Sequence, residues 1–155
     1  MMKKANTLFS EYAGSHRNTT NQWIHYFCVP LIFWSILGLI SLIPAPLLHL
    51  PILGNISMVS IIVLVLISIY YFVLHWKMAI LMLIILLAFE KSIALTHLFL
   101  KEKTLWLFLI IFILSWILQF IGHKIEGRKP KFLKDLQFLL IGPLWVLKKI
   151  LPFQI

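Results

Sequence analysis

Cysteine and acidic side chains are what this sequence has least of. Cys28 is the only cysteine in 155 residues, so no disulfide can close within the chain and no thiolate cluster can bind metal. Asp and Glu number five against fourteen Lys and Arg, and charged residues make up only 12% of the chain, about half the share of a soluble domain. The first twenty residues contain no apolar h-region, which predicts no cleavable signal peptide. There is no glycine-rich phosphate loop, no Ser-His-Asp order and no CxxC pair, so the usual signatures of nucleotide, triad and dithiol chemistry are missing. No internal repeat and no low-complexity tract is present.

What is there is apolar. Hydrophobic residues make up 61% of the chain and the mean hydropathy is +0.98, values that describe an integral membrane protein. The expected fold is all-α: a multi-pass membrane helical bundle forming a single domain over residues 1–155. In a soluble protein a net charge of +9 would suggest nucleic acid. Here the basic residues sit at the edges of apolar runs, where they face lipid headgroups and set topology, so no nucleic-acid partner is expected.

A polar arm, residues 1–20, carries Lys3, Lys4, Glu11 and Arg17. Four transmembrane spans follow, at about 23–43, 56–74, 78–100 and 105–122, each near the length a bilayer requires. Pro30 lies inside the first and frees the carbonyl of Tyr26, which predicts a kink near His25. Pro44, Pro46 and Pro51 mark an uncharged loop that ends near Gly54 and Asn55, and His75, Trp76 and Lys77 mark a polar turn. Glu90 and Lys91 interrupt the third span, which is expected to continue to Leu100 because about a dozen residues cannot cross a bilayer. Thr104 is placed to cap the fourth helix and Gly127 to stop it. Beyond a basic linker, Arg128 to Lys131, residues 132–151 hold an apolar stretch broken by Gly142 and Pro143. It is too short to span, and predicts a C-terminal interfacial or re-entrant helix.

Four spans divide the basic residues unevenly. Lys3, Lys4, Arg17, Lys77, Lys124, Arg128, Lys129, Lys131, Lys134, Lys148 and Lys149 fall on one side, and only Lys91, Lys101 and Lys103 on the other. Both termini are therefore expected in the cytoplasm. The same topology places His16, His25, His75 and His123 on the cytoplasmic side and His49 and His97 opposite.

Two polar faces stand out against the apolar spans. Asn18, Asn21 and His25 share one face of a helix that begins near Asn18 or Thr19, and Gln119, His123 and Glu126 share one face at the end of the fourth span. Two such faces ending at one membrane depth would meet, and imidazoles with a nearby carboxylate or amide suit a metal. Spacing alone leaves the plainer readings open. Intramembrane histidines also serve as hydrogen-bonded packing residues, and Glu126 has Arg128 and Lys129 beside it as surface partners. His75 reads as an interfacial turn residue, Glu90 and His97 as residues that satisfy each other, and Trp23, Trp76, Trp106 and Trp145 as interface anchors.

With these residues in view, the sequence resembles the small multi-pass 2-hydroxy fatty acid dioxygenases first recognised in yeast. The likeness is carried by Tyr12, His16, Asn18, Asn21, His25 and Pro30 at one end, and by Gln119, Gly122, His123, Glu126, Pro130, Gly142 and Pro143 at the other. It covers nearly the whole chain, with its specificity in the two polar motifs. It implies an Fe(II)-dependent dioxygenase of fatty acid α-oxidation, which takes a long-chain 2-hydroxy fatty acid and O2 and yields a fatty acid one carbon shorter. It further implies His16, His25 and His123 as catalytic iron ligands, with Asn18, Asn21, Gln119 and Glu126 orienting ligands or substrate. A 2-hydroxy acid offers an ion two oxygen donors, and Arg17, Lys124 and Arg128 would draw its carboxylate to the cytoplasmic mouth. Membrane lipid is the other expected partner. A bacterial inner membrane is the expected location, with the endoplasmic reticulum as the alternative. Two other function classes compete: a non-catalytic membrane protein that binds lipid or a partner, and a zinc-dependent membrane hydrolase on the same histidines.

Overall fold

The computed structural model describes residues 18–127. His16, Arg17, Arg128 and the predicted interfacial helix at 132–151 lie outside the described residues.

Helix α1, Thr19–Ser41, starts where sequence predicts, and Asn18 is the reason. Its side-chain oxygen accepts from the N–H groups of Thr20, at 2.9 Å, and Asn21, at 3.3 Å, satisfying donors that a helix start leaves unpaired. The helix runs unbroken through Pro30, so the expected kink does not interrupt it.

The segment expected to be a plain loop instead forms a hairpin. Strands β1, Leu47–Leu50, and β2, Gly54–Ser57, pair antiparallel with Leu47 opposite Ser57 and His49 opposite Asn55. Proline breakers bracket a stretch too short for a helix, and pairing two strands satisfies backbone groups that an apolar setting would leave unbonded. Gly54 takes a positive φ of 91° at the head of β2, a conformation that side chains rarely adopt.

Helix α2, Met58–Leu74, is capped by Ser57, whose hydroxyl accepts from the Ser60 N–H at 3.3 Å. His75 alone, with extended backbone, separates it from α3, Trp76–Leu100. The polar turn is thus one residue long, and Trp76 and Lys77 already belong to the next helix. Helix α3 continues past Glu90 and Lys91, as its length argument requires. A single 3-10 turn, Lys101–Lys103, leads into α4, Thr104–Glu126. Thr104 does not cap α4. It is the first helical residue, and its hydroxyl donates back to the Lys101 carbonyl at 2.5 Å. Gly127, at φ 72°, ends the helix as predicted.

The protein is mostly helical, and its helices carry large apolar side chains on their exposed faces. Helix α4 buries Ser115, Gln119 and His123 and exposes Trp106, Ile110, Ile113, Ile117 and Ile121. Helix α3 buries Ala79, Met82, Leu86, Glu90 and Ile93, steps of three and four that define one face. Two helical stretches, Thr19–Ser41 and Ala79–Glu126, are long and apolar enough to cross a membrane, while α2 has seventeen residues.

The chain divides into two compact units. One joins the part of α1 up to Phe33 with the part of α4 from Ile113; the other is Trp34–Phe112. In the second unit the Trp34 indole donates to the Ser92 hydroxyl at 2.6 Å, and the buried Phe108 ring packs edge-on against Trp34 at 4.9 Å. Gly38 lies so close to Phe108 that a Cβ there would collide with the ring.

Candidate metal centre

The site is built by the start of α1 and the end of α4. On α1, Asn21 and His25 are one turn apart; on α4, Gln119 and His123 are one turn apart and Glu126 follows three residues later. The structure brings these two faces together. The imidazoles of His25 and His123 stand edge to face, with ring centres 5.1 Å apart, and are only 1% and 6% exposed.

The His25 ring is held by its neighbours. His25 Nδ1 lies 2.9 Å from the Asn21 carbonyl, so Nδ1 carries the hydrogen and donates the hydrogen bond, and in the neutral ring the lone pair falls to Nε2. The Asn21 side chain reaches across to α4, where its amide donates to Glu126 Oε2 at 3.1 Å. The same oxygen accepts the Asn18 backbone N–H at 2.9 Å. Glu126 therefore closes the positive N-terminal end of α1 with a carboxylate, where the helix dipole favours negative charge. Gly122 makes the approach possible, because a Cβ at that position would collide with Asn21 Oδ1. Gln119 is 5% exposed, and its Nε2 has no hydrogen-bond partner among the described residues.

Of the residues expected at the site, Asn18, Asn21, His25, Gln119, His123 and Glu126 share one compact unit. His16, Arg17 and Arg128 lie outside the described residues, and the Lys124 side chain is exposed. No group of three or more His, Cys, Asp and Glu placed to hold a metal occurs among the described residues. Two imidazoles do come together there, buried, with one ring turned by a carbonyl in the manner of metal-ligating histidines. That donor chemistry fits iron, with Glu126 occupied in bracing α1.

The remaining histidines have other work. His49 meets Asn55 Oδ1 at 2.9 Å across the hairpin. His97 does not pair with Glu90 as expected; its Nε2 lies 2.7 Å from the Ser41 hydroxyl. His75 forms the break between α2 and α3. Sequence reasoning missed what Gly122 does, although a lone glycine among bulky apolar residues is the usual sign of close helix approach. It also missed Asn21 as the residue that sets the His25 tautomer. That contact uses a backbone carbonyl, which no residue type announces.

The described residues are mostly helical, apolar on their outer face, and carry a buried histidine pair beside a network of amides and a carboxylate. The family model described as 2-hydroxy-palmitic acid dioxygenase Mpo1-like matches residues 2–153, and the chain belongs to that family. Neither a curated protein nor a solved structure matches it.

Proposed function

We propose that this protein is an Fe(II)-dependent dioxygenase of the membrane, shortening long-chain 2-hydroxy fatty acids by one carbon with O2. The carrying observation is the buried His25–His123 pair, oriented through the Asn21 carbonyl, in a chain of this family. His25 and His123 would hold the ion, with His16 as the third ligand. Iron held there would supply the redox chemistry for the reaction with O2, in which C2 becomes the new carboxyl and C1 leaves as CO2 with water. The chain's own residues prepare the setting. Asn21 fixes the His25 tautomer, Glu126 clamps α1 to α4, and Gln119 offers an unpartnered buried amide N–H to the substrate carboxylate. Arg17, Lys124 and Arg128 favour approach of that carboxylate from the basic side.

Large apolar side chains on the exposed helix faces support the membrane setting. Exposed apolar residues such as Phe99 and Trp106 are costly in water and at no disadvantage in lipid, while Gln119, His123 and Glu90 are kept from it. We assign four spans, both termini to the cytoplasm, and the C-terminal segment to the interface, on the division of basic residues.

The test is incubation of the purified protein with a 2-hydroxy fatty acid under air, with and without Fe(II), followed by mass analysis of chain length. An acid one carbon shorter, formed only with iron and with consumption of O2, is expected. Bound zinc with no O2 uptake would overturn the reading in favour of a hydrolase. A protein without metal and without product would leave a lipid-binding role.

A further inference from the structure

The second compact unit holds a cavity of about 500 Å3, within the range of small-molecule sites. Its walls come from the hairpin, the start of α2 and the part of α3 from Glu90 to Leu98, with Ser41 of α1. None of the residues of the histidine centre lines it.

Two of its lining side chains are buried and incompletely bonded. Glu90 is 2% exposed and Ser60 is 1% exposed, yet Glu90 Oε1 and the Ser60 hydroxyl have no hydrogen-bond partner among the described residues. Buried polar atoms left unpaired cost free energy, so two of them on residues that line one cavity point to a ligand that completes them. The other polar walls are already engaged: His97 with Ser41, and Ser57 as the cap of α2. Charge narrows the ligand. A second carboxylate would face Glu90, and an ammonium or metal ion would face Lys91, which lines the same cavity. One carboxyl and one hydroxyl are also too few oxygens for a calcium ion, which takes about six to eight. A neutral hydroxyl donor meets neither objection. The remaining lining, including Leu47, Leu53, Ile93 and Leu98, is apolar and suits an acyl chain.

We propose that this cavity binds a neutral single-chain amphiphile whose head-group hydroxyls donate to Glu90 and Ser60. The site is separate from the acid-binding centre proposed above, and differs in the charge of what it accepts.

The experiment uses the full chain purified in a detergent without hydroxyls, lauryldimethylamine oxide, with bound lipid measured by native mass spectrometry. Monooleoylglycerol is the probe; methyl oleate lacks the hydroxyls and oleic acid carries a carboxylate. Monooleoylglycerol is expected to bind about tenfold or more tighter than either control. Glu90→Leu and Ser60→Ala should each weaken it by about tenfold, whereas Glu90→Gln, which keeps an acceptor oxygen, should retain it. Ala94→Trp, which fills the cavity without touching its polar groups, should abolish binding, and His123→Ala should leave it unchanged. Equal binding of methyl oleate would overturn the proposal. So would undiminished binding in Ser60→Ala and Ala94→Trp, two variants that leave Glu90 and its contribution to folding intact.

Discussion

Asn21 makes three contacts at once. Its carbonyl accepts a hydrogen bond from His25 Nδ1, its amide donates to Glu126, and its Oδ1 lies against Gly122. At the iron centre proposed above such a residue would orient a ligand without being one, and its loss is expected to be graded where the loss of a ligand is not. His25→Ala and His123→Ala are expected to abolish turnover and iron retention, because a small site has no spare ligand. Asn21→Ala, Gln119→Ala and Glu126→Ala should each reduce affinity or activity about 10- to 100-fold. His49→Ala, at an exposed hairpin position, should leave both near wild type. Elemental analysis and product mass measured side by side check the ranking. Full activity in a folded His25→Ala protein would remove the centre from the mechanism.

At the scale of the helices, the contact between α1 and α4 depends on a missing side chain. Gly122 leaves room for Asn21 Oδ1, and any Cβ there must push the amide or the helix away. Gly122→Ala is therefore expected to destabilise the protein by about 1–3 kcal/mol, the usual cost of overpacking. It should lower iron retention too, because displacing Asn21 frees the His25 ring. Thermal unfolding of the purified protein and its iron content report the two effects separately. A variant with wild-type unfolding temperature and full iron would show that Asn21 has slack that the structure does not suggest.

The whole molecule carries its charges unevenly, and that unevenness predicts how it sits in a bilayer. Cysteines introduced beside Lys4 and beside Lys129, in a Cys28→Ser background, should both react with a membrane-impermeant reagent from the cytoplasmic side. A reporter fused after Ile155 should also read as cytoplasmic, because the apolar run in 132–151 is too short to cross. Labelling of Lys4 and Lys129 positions from opposite faces would make the span count odd. It would also separate His16 and His25 from His123.

Composition and periodicity by themselves determined that this is an apolar, mostly helical protein. They also marked the start of α1 at Asn18 and the end of α4 at Gly127, residues that act on the backbone next to them. They did not mark the Ser57 cap of α2, the one-residue break at His75 or the true start of α4. They marked His25 and Asn21, and His123, Gln119 and Glu126, as two polar helix faces, while leaving open whether those faces meet or only satisfy local partners. Only the tertiary structure decided which polar groups meet. The Glu126 carboxylate turned to the start of α1, His97 to Ser41 and not to Glu90, and the proline-rich loop closed as a hairpin. Each of these joins groups distant in sequence or uses backbone atoms that every residue carries. Local spacing records neither, because partner choice between separated segments is set by packing distance and by the need to satisfy every buried polar atom.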